Sequence, residues 1–270
     1  MPVHTTSDDV SIAYQTHGEG PTAVLLHGLG SRAEDWGDHL DVLSPRRRCV
    51  VPDLRGHGAS SSPPGPHTPD RHAADVISLL DELGVEQADV IGYSMGGAAA
   101  FALAAAQPER VRSLCIVNSV PSFELTTFKM KMEVVVRRTL IATLGVEKLA
   151  GVIAKRLFPK PEQEALRARA IDSIKRNSKE AYIASLMGLV GWTIEDRLGE
   201  LTMPTLLVAG DLDYTPVAAK EACVAAMPNA RLIVVEDARH GLPLEKLDEF
   251  NGILASWLDE RSGTSATAPG

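Results

Sequence analysis

Six short runs of branched and aliphatic residues constrain this chain more than any other feature, because none of them alternates with polar residues. They are TAVLLHG (22–28), RCVVPDL (48–54), ADVIGYS (88–94), VRSLCIVN (111–118), PTLLVAG (204–210) and ARLIVVE (230–236). A strand wetted on one face reads apolar, polar, apolar; a strand that stays apolar is covered on both faces. Stretches of helical character fall between the runs, at 70–83, 95–107, 217–226 and 247–260. This alternation predicts an α/β fold, a mostly parallel central sheet with helices on both faces. SIAYQTHG (11–18) is expected to form an antiparallel edge hairpin ahead of the first of these strands.

The alternation stops between residues 122 and 201, where four helical segments follow one another without a strand: 130–145, 147–158, 161–177 and 179–192. Gly145, Pro159, Pro161 and Asn177 punctuate them. An all-helical stretch inserted between two strands of an α/β core reads as a cap, or lid. The expected division is therefore a core of residues 1–121 and 202–261, a cap of 122–201, and a tail of 262–270 whose composition is that of disordered chain. The cap also differs in charge. Residues 122–200 hold 14 Lys and Arg against 10 Asp and Glu, whereas the whole chain carries −8. That balance hints at an acidic substrate attracted by the cap; a solvated helical surface is the plainer explanation, since long basic side chains usually face water.

A net charge of −8 argues against a nucleic-acid partner, which asks for a basic face. Cys49, Cys115 and Cys223 are scattered, with no metal-ligand or redox spacing, and read as small core side chains in a reducing compartment. The first residues, MPVHTTSDDV, lack the charged-then-apolar order of a signal peptide, and the longest small-apolar run, 96–106, is too short to span a bilayer. The expectation is a cytoplasmic protein that acts on a small molecule, without a membrane, metal or organic cofactor.

Chemistry concentrates at VIGYSMGGAAA (90–100), where Ser94 stands between Gly92 and Gly96 as a strand hands over to a helix. A turn this tight crowds the backbone, and small flanking residues relieve the crowding. The hydroxyl is left exposed at a helix N-terminus, where developing negative charge is favoured. A serine nucleophile needs a neighbouring base, and imidazole is the usual one at neutral pH. Of the eight histidines, only His240, in EDARHGLPLE, lies downstream of Ser94. The segment LLVAGDLDYTP supplies two carboxylates, Asp211 and Asp213.

With these segments in place the chain resembles the α/β-hydrolase fold superfamily, in its esterase–lactonase branch with a helical cap. The resemblance implies the chain order serine, acid, histidine, which leaves His240 as the base. It also implies an acid three residues after the glycine that closes its strand, with a proline three further on. Gly210, Asp213 and Pro216 match that spacing, so Asp213 is the acid that orients the imidazole, and Asp211 is a turn residue. LLHGLGS (25–31) resembles the family's oxyanion loop, which implies the backbone amides of Leu29 and Met95 as donors. No Gly-Lys-Ser/Thr follows, so a phosphate-cradling reading of that loop fails. PDLRGHGAS (52–60) also matches a family segment, and His57 within it is structural, since it precedes Ser94.

Gly28 and Tyr93 adjoin these motifs and are expected at the substrate pocket. Trp36 either lines its entrance or packs the core. Phe123, Phe128, Met187 and Trp192 are the candidate specificity residues of the cap, or else pack within it. The resemblance implies hydrolysis of an ester or lactone through an acyl-enzyme. A small-molecule receptor with slow turnover, a cofactor-free haloperoxidase or perhydrolase, and a carbon–carbon bond hydrolase share the same framework. Serine at 94 counts against dehalogenase and epoxide hydrolase chemistry, and Tyr93 and Gly241 depart from the asparagine and tryptophan common in the carbon–carbon hydrolases.

Overall fold

The computed structural model describes residues 1–261; the tail expected at 262–270 lies outside them. Eight strands form one sheet: β1 (Val3–Thr5), β2 (Ser11–His17), β3 (Thr22–Leu26), β4 (Arg48–Pro52), β5 (Ala88–Tyr93), β6 (Val111–Val117), β7 (Thr205–Gly210) and β8 (Ala230–Val235). Their spatial order is β1-β2-β4-β3-β5-β6-β7-β8. β1–β2 and β2–β4 pair antiparallel, and every later pair is parallel. The six apolar runs are therefore the six parallel strands. The hairpin differs from expectation: residues 11–17 form a single strand whose hairpin partner is β1, and β1 takes the sheet edge.

Helices α1 (Gly37–Leu43) and α9 (Leu247–Arg261) cover one face, while α2 (Pro69–Glu82), α3 (Met95–Ala106) and α7 (Val217–Ala226) cover the other. The strands divide between the faces with period two. Val24, Leu26 and Val90 enter one core, and Ala23, Leu25 and Ile91 the other. Both faces are dry, which is why the strands carry no polar alternation. Thr68 caps α2 by accepting from the Arg71 amide, with Pro69 in the first helical position. Burial pushes the Cys49 thiol up to about 11 and that of Cys223 to about 12, so both behave as small hydrophobes.

Between β6 and β7 run α4 (Phe128–Leu157), α5 (Glu164–Lys175), α6 (Lys179–Leu189) and a 3-10 turn at Glu195–Glu200. α4 is interrupted at Gly145, whose φ of 79° and ψ of 171° break it where the sequence places a boundary between two helices. This insert has its own apolar cluster, including Ile141, Leu149, Ile174, Tyr182 and Leu186. Its last residues behave differently: Trp192, Ile194, Leu198 and Leu201 join the core cluster beneath the sheet. A four-residue helix, α8 (Leu242–Glu245), precedes α9. No helix among the described residues is long and apolar enough to cross a membrane.

Candidate active site

Parallel strands present their C-terminal ends along one sheet edge, and the chemistry-bearing loops emerge there. β5 ends at Tyr93, and Ser94 follows with φ 54° and ψ −116° before α3 begins. The two glycines are required by contact. A Cβ on Gly92 would lie 2.3 Å from the Gly96 carbonyl oxygen, and one on Gly96 would lie 2.2 Å from that of Leu26. The Ser94 amide donates to the Val117 carbonyl at 2.9 Å, which fixes the turn against β6.

Three side chains from three loops form a continuous hydrogen-bonded chain. Ser94 Oγ lies 2.9 Å from His240 Nε2, and His240 Nδ1 lies 2.8 Å from Asp213 Oδ1. A carboxylate can only accept, so Nδ1 carries the proton and Nε2 is left to accept from the serine hydroxyl. The His240 carbonyl is held by Tyr93 Oη at 2.9 Å and by Asn118 Nδ2 at 3.0 Å. Asn118 Oδ1 in turn accepts from the Gly210 amide at 2.9 Å, tying the ends of β6 and β7 to the histidine loop. Asp211 Oδ1 accepts from the Ala238 amide at 3.0 Å, the bracing role of a turn residue.

The second Asp213 oxygen has partners that the sequence did not announce. Lys220 Nζ, from α7, donates to Oδ2 at 2.7 Å and to the Thr215 carbonyl at 2.6 Å, and Thr215 Oγ1 also donates to Oδ2. The pair is dry, with side-chain exposures of 1 % for Lys220 and 0 % for Asp213. Burial works to raise the Asp213 pKa, but the hydrogen bond and charge of His240, joined by Lys220, outweigh it and hold the carboxyl down at about 2. Burial lowers the Lys220 ammonium against the pull of Asp213. Tyr214 stacks on the His240 ring with centroids 4.0 Å apart.

The loop after β3 lies against the serine, since a Cβ on Gly28 would stand 3.3 Å from Ser94 Cβ. The amides of Leu29 and Met95 have no acceptor among the described residues, and that of Met95 opens α3, where a helix leaves its first N–H groups free. The 52–60 segment braces this loop. The Gly30 amide donates to His57 Nε2 at 3.1 Å, the Leu54 amide to His27 Nε2 at 3.0 Å, and the Ala33 amide to Asp53 Oδ1 at 2.7 Å. Burial, reinforced by the neighbouring His27, lowers His57 to about 3, so it serves as a neutral acceptor. Among the described residues no group of three or more His, Cys, Asp or Glu is placed to hold a metal ion.

A cavity of about 540 Å³ opens over the chain, lined by Ser94, His240, Gly28, Leu29 and Tyr93 from the core and by side chains of α4, α5 and α6. Trp36 and Phe123 border it too, and Trp36 is at the same time 3 % exposed within the core, so both readings of that residue describe it. Three expected pocket residues do not line it. Phe128 sits at the start of α4, 79 % exposed; Met187 is half-buried on α6 but does not border the cavity; Trp192 is buried in the core cluster under the sheet. The insert's lining comes instead from aliphatic and basic residues such as Leu140, Ile153, Arg137 and Arg156. α6 is apolar on nearly all sides, so its sequence carries no signal of which face meets the cavity.

Residues 21–247 match the family model of the alpha/beta hydrolase fold. The chain is 30% identical over 263 residues to a proposed carbamate hydrolase of Azorhizobium caulinodans, covering 93% of this chain and 96% of that one. It is 28% identical over 253 residues to 3-oxoadipate enol-lactonase 2 of Acinetobacter baylyi, covering 91% and 92%. Among solved structures, the enol-lactonase from Burkholderia xenovorans LB400 superposes with a TM-score of 0.88 at 26% identity, covering 95% of this chain and 99% of that one.

Proposed function

The chain belongs to the α/β-hydrolase fold family, and from that premise we propose that it is a hydrolase of ester bonds, cleaving a small carboxylic ester or lactone through an acyl-enzyme on Ser94. The observation that carries this reading is the unbroken chain Ser94–His240–Asp213 at the floor of a mainly aliphatic cavity. Ser94 Oγ attacks the carbonyl carbon while its proton passes to His240 Nε2. The oxyanion that forms is held by the free amides of Leu29 and Met95, donors that need no reorganisation during the reaction. The tetrahedral intermediate collapses as the carbon–oxygen bond breaks, and His240 returns the proton to the leaving alkoxide. His240 then takes a proton from water, hydroxide adds to the acyl carbon, and the acid leaves as Ser94 regains its hydrogen. Asp213 keeps the imidazole in the required tautomer and stabilises the imidazolium without itself taking a proton. The helical insert, through α4, α5 and α6, acts as the cap that closes the acyl and alcohol sites from above.

The test is a panel of short-chain esters and lactones with the Ser94→Ala protein as control, together with fluorophosphonate labelling read by peptide mass spectrometry. Multiple turnovers by the wild type, a loss of about 10⁴- to 10⁶-fold in Ser94→Ala, and an adduct on Ser94 are expected. Labelling at another serine, or a single turnover that stops at a stable complex, would refute the reading, and the second outcome describes a receptor.

A further inference from the structure

We infer that Arg137 is a carboxylate anchor in the cavity wall, so that the preferred substrate is an ester or lactone bearing a free carboxylate a few bonds from the scissile carbonyl. This inference rests on the esterase reading and specifies its substrate class. The cations of the insert differ in where they lie. Lys131, Arg138, Lys148 and Lys155 are exposed, as a solvated surface requires. Three arginines line the cavity, and two of them are already paired: Arg156 with Glu133 at 2.7 Å, and Arg169 with Asp38. Arg137 is in no ion pair among the described residues. Its one hydrogen bond there runs from Nη2 to Tyr182 Oη at 2.9 Å.

A guanidinium stays charged at every pH a protein survives, and its remaining N–H donors form a planar fork that fits a carboxylate. Arg137 is half-buried in that wall, and a ligand carboxylate gives its guanidinium the ion pair that Arg156 and Arg169 already have. Arg137 lines the same cavity as Ser94, Tyr214 and His240, so a ligand held in it is shared between the guanidinium and the serine. The anionic groups that also border the cavity are engaged: Glu133 by Arg156, and Asp35 by Ser31, Ser173 and the Arg32 amide. Tyr182 is fully buried and fixes the guanidinium from behind.

The experiment compares p-nitrophenyl butyrate with p-nitrophenyl hemisuccinate, esters of equal acyl length that differ by a terminal carboxylate. The wild type is expected to favour the hemisuccinate in kcat/KM, by a margin that shrinks as ionic strength rises. In Arg137→Gln, which keeps a donor for Tyr182, the hemisuccinate-to-butyrate ratio should fall by about 10- to 100-fold, the range of a charge-assisted hydrogen bond. Arg137→Lys should restore part of it. Equal losses on both esters, or a wild type that favours butyrate at every salt concentration, would overturn the anchor. Succinate binding to wild-type and Arg137→Gln protein, measured by calorimetry, decides the same question without turnover. If neither ester is cleaved while succinate affinity still depends on Arg137, the hydrolytic reading fails and the anchor stands. If affinity is the same in both proteins, the anchor fails.

Discussion

The two walls of the cavity are built differently. On the core side each proposed catalytic group is held by several independent contacts: Ser94 by its amide on Val117, His240 through its carbonyl on Tyr93 and Asn118, Asp213 by Lys220 and Thr215. On the insert side, α5 is fastened to the core partly by exposed pairs, Arg176–Glu34 and Arg169–Asp38, and by two buried bonds, Asn177 Nδ2 to the Gly30 carbonyl at 2.8 Å and Arg32 to the Ser173 carbonyl at 2.9 Å. α4 leaves Val135, Val136, Leu144 and Val152 exposed. The proposed catalytic groups lie where the backbone is paired in a sheet and their loops are cross-linked by buried hydrogen bonds. The insert's wall, proposed to sort substrates, carries side chains that are more exposed.

The contrast breaks if core substitutions prove mild. Asp213→Asn should lower turnover by about 10⁴-fold, because an amide no longer fixes the Nδ1–H tautomer. Asp211→Asn should leave turnover near that of the wild type and lower stability by about 1 kcal/mol through the weakened bond to the Ala238 amide. Steady-state kinetics and urea unfolding on the two variants separate these roles, and the reverse ranking would move the acid to Asp211.

Lys220→Met sharpens the comparison at the next level. Removing one partner of a buried pair leaves the other charge poorly compensated, so a stability loss of about 3 kcal/mol is expected in urea unfolding. The pH dependence supplies a second readout. Asp213 is held at about 2, below its ordinary 3.8, so its contribution to stability is present above the ordinary value and fades as the pH falls towards 2. Without Lys220 that acid-side decline should become shallower. An unchanged decline would mean that His240 alone holds the carboxylate.

The smallest effect belongs to the insert. Arg176→Ala removes exposed pairs with Glu34 and Asp172 and should cost no more than about 0.5 kcal/mol, with kcat/KM within about twofold of wild type. A larger kinetic loss would show that the seating of α5 on the core sets the active geometry, and the distinction between the two walls would dissolve.

The sequence resolves these walls unequally, for physical reasons. Buried parallel strands announce themselves because both faces are apolar, and β3 to β8 were legible to within two residues. The glycines around Ser94 were legible because backbone crowding admits nothing else. Lys220 was invisible: on an exposed-looking helix a lysine is ordinarily solvated, and only the fold brings it under Asp213. Asn118 was hidden likewise, its partners lying more than ninety residues away along the chain. The pocket residues of the insert were chosen for being aromatic or sulfur-bearing. Burial follows the helix face, and a helix apolar on nearly all sides does not declare one, so Phe128, Met187 and Trp192 lay elsewhere while Arg137 went unnoticed.

The backbone at Ser94 has a consequence for heredity. Its φ of 54° with ψ of −116° is a conformation that residues with a side chain seldom adopt, and holding it costs about 1–3 kcal/mol. Glycine would occupy the same turn without that strain. A lineage screened only for resistance to heat would therefore drift towards glycine at position 94 and arrive at a sturdier protein without the proposed nucleophile.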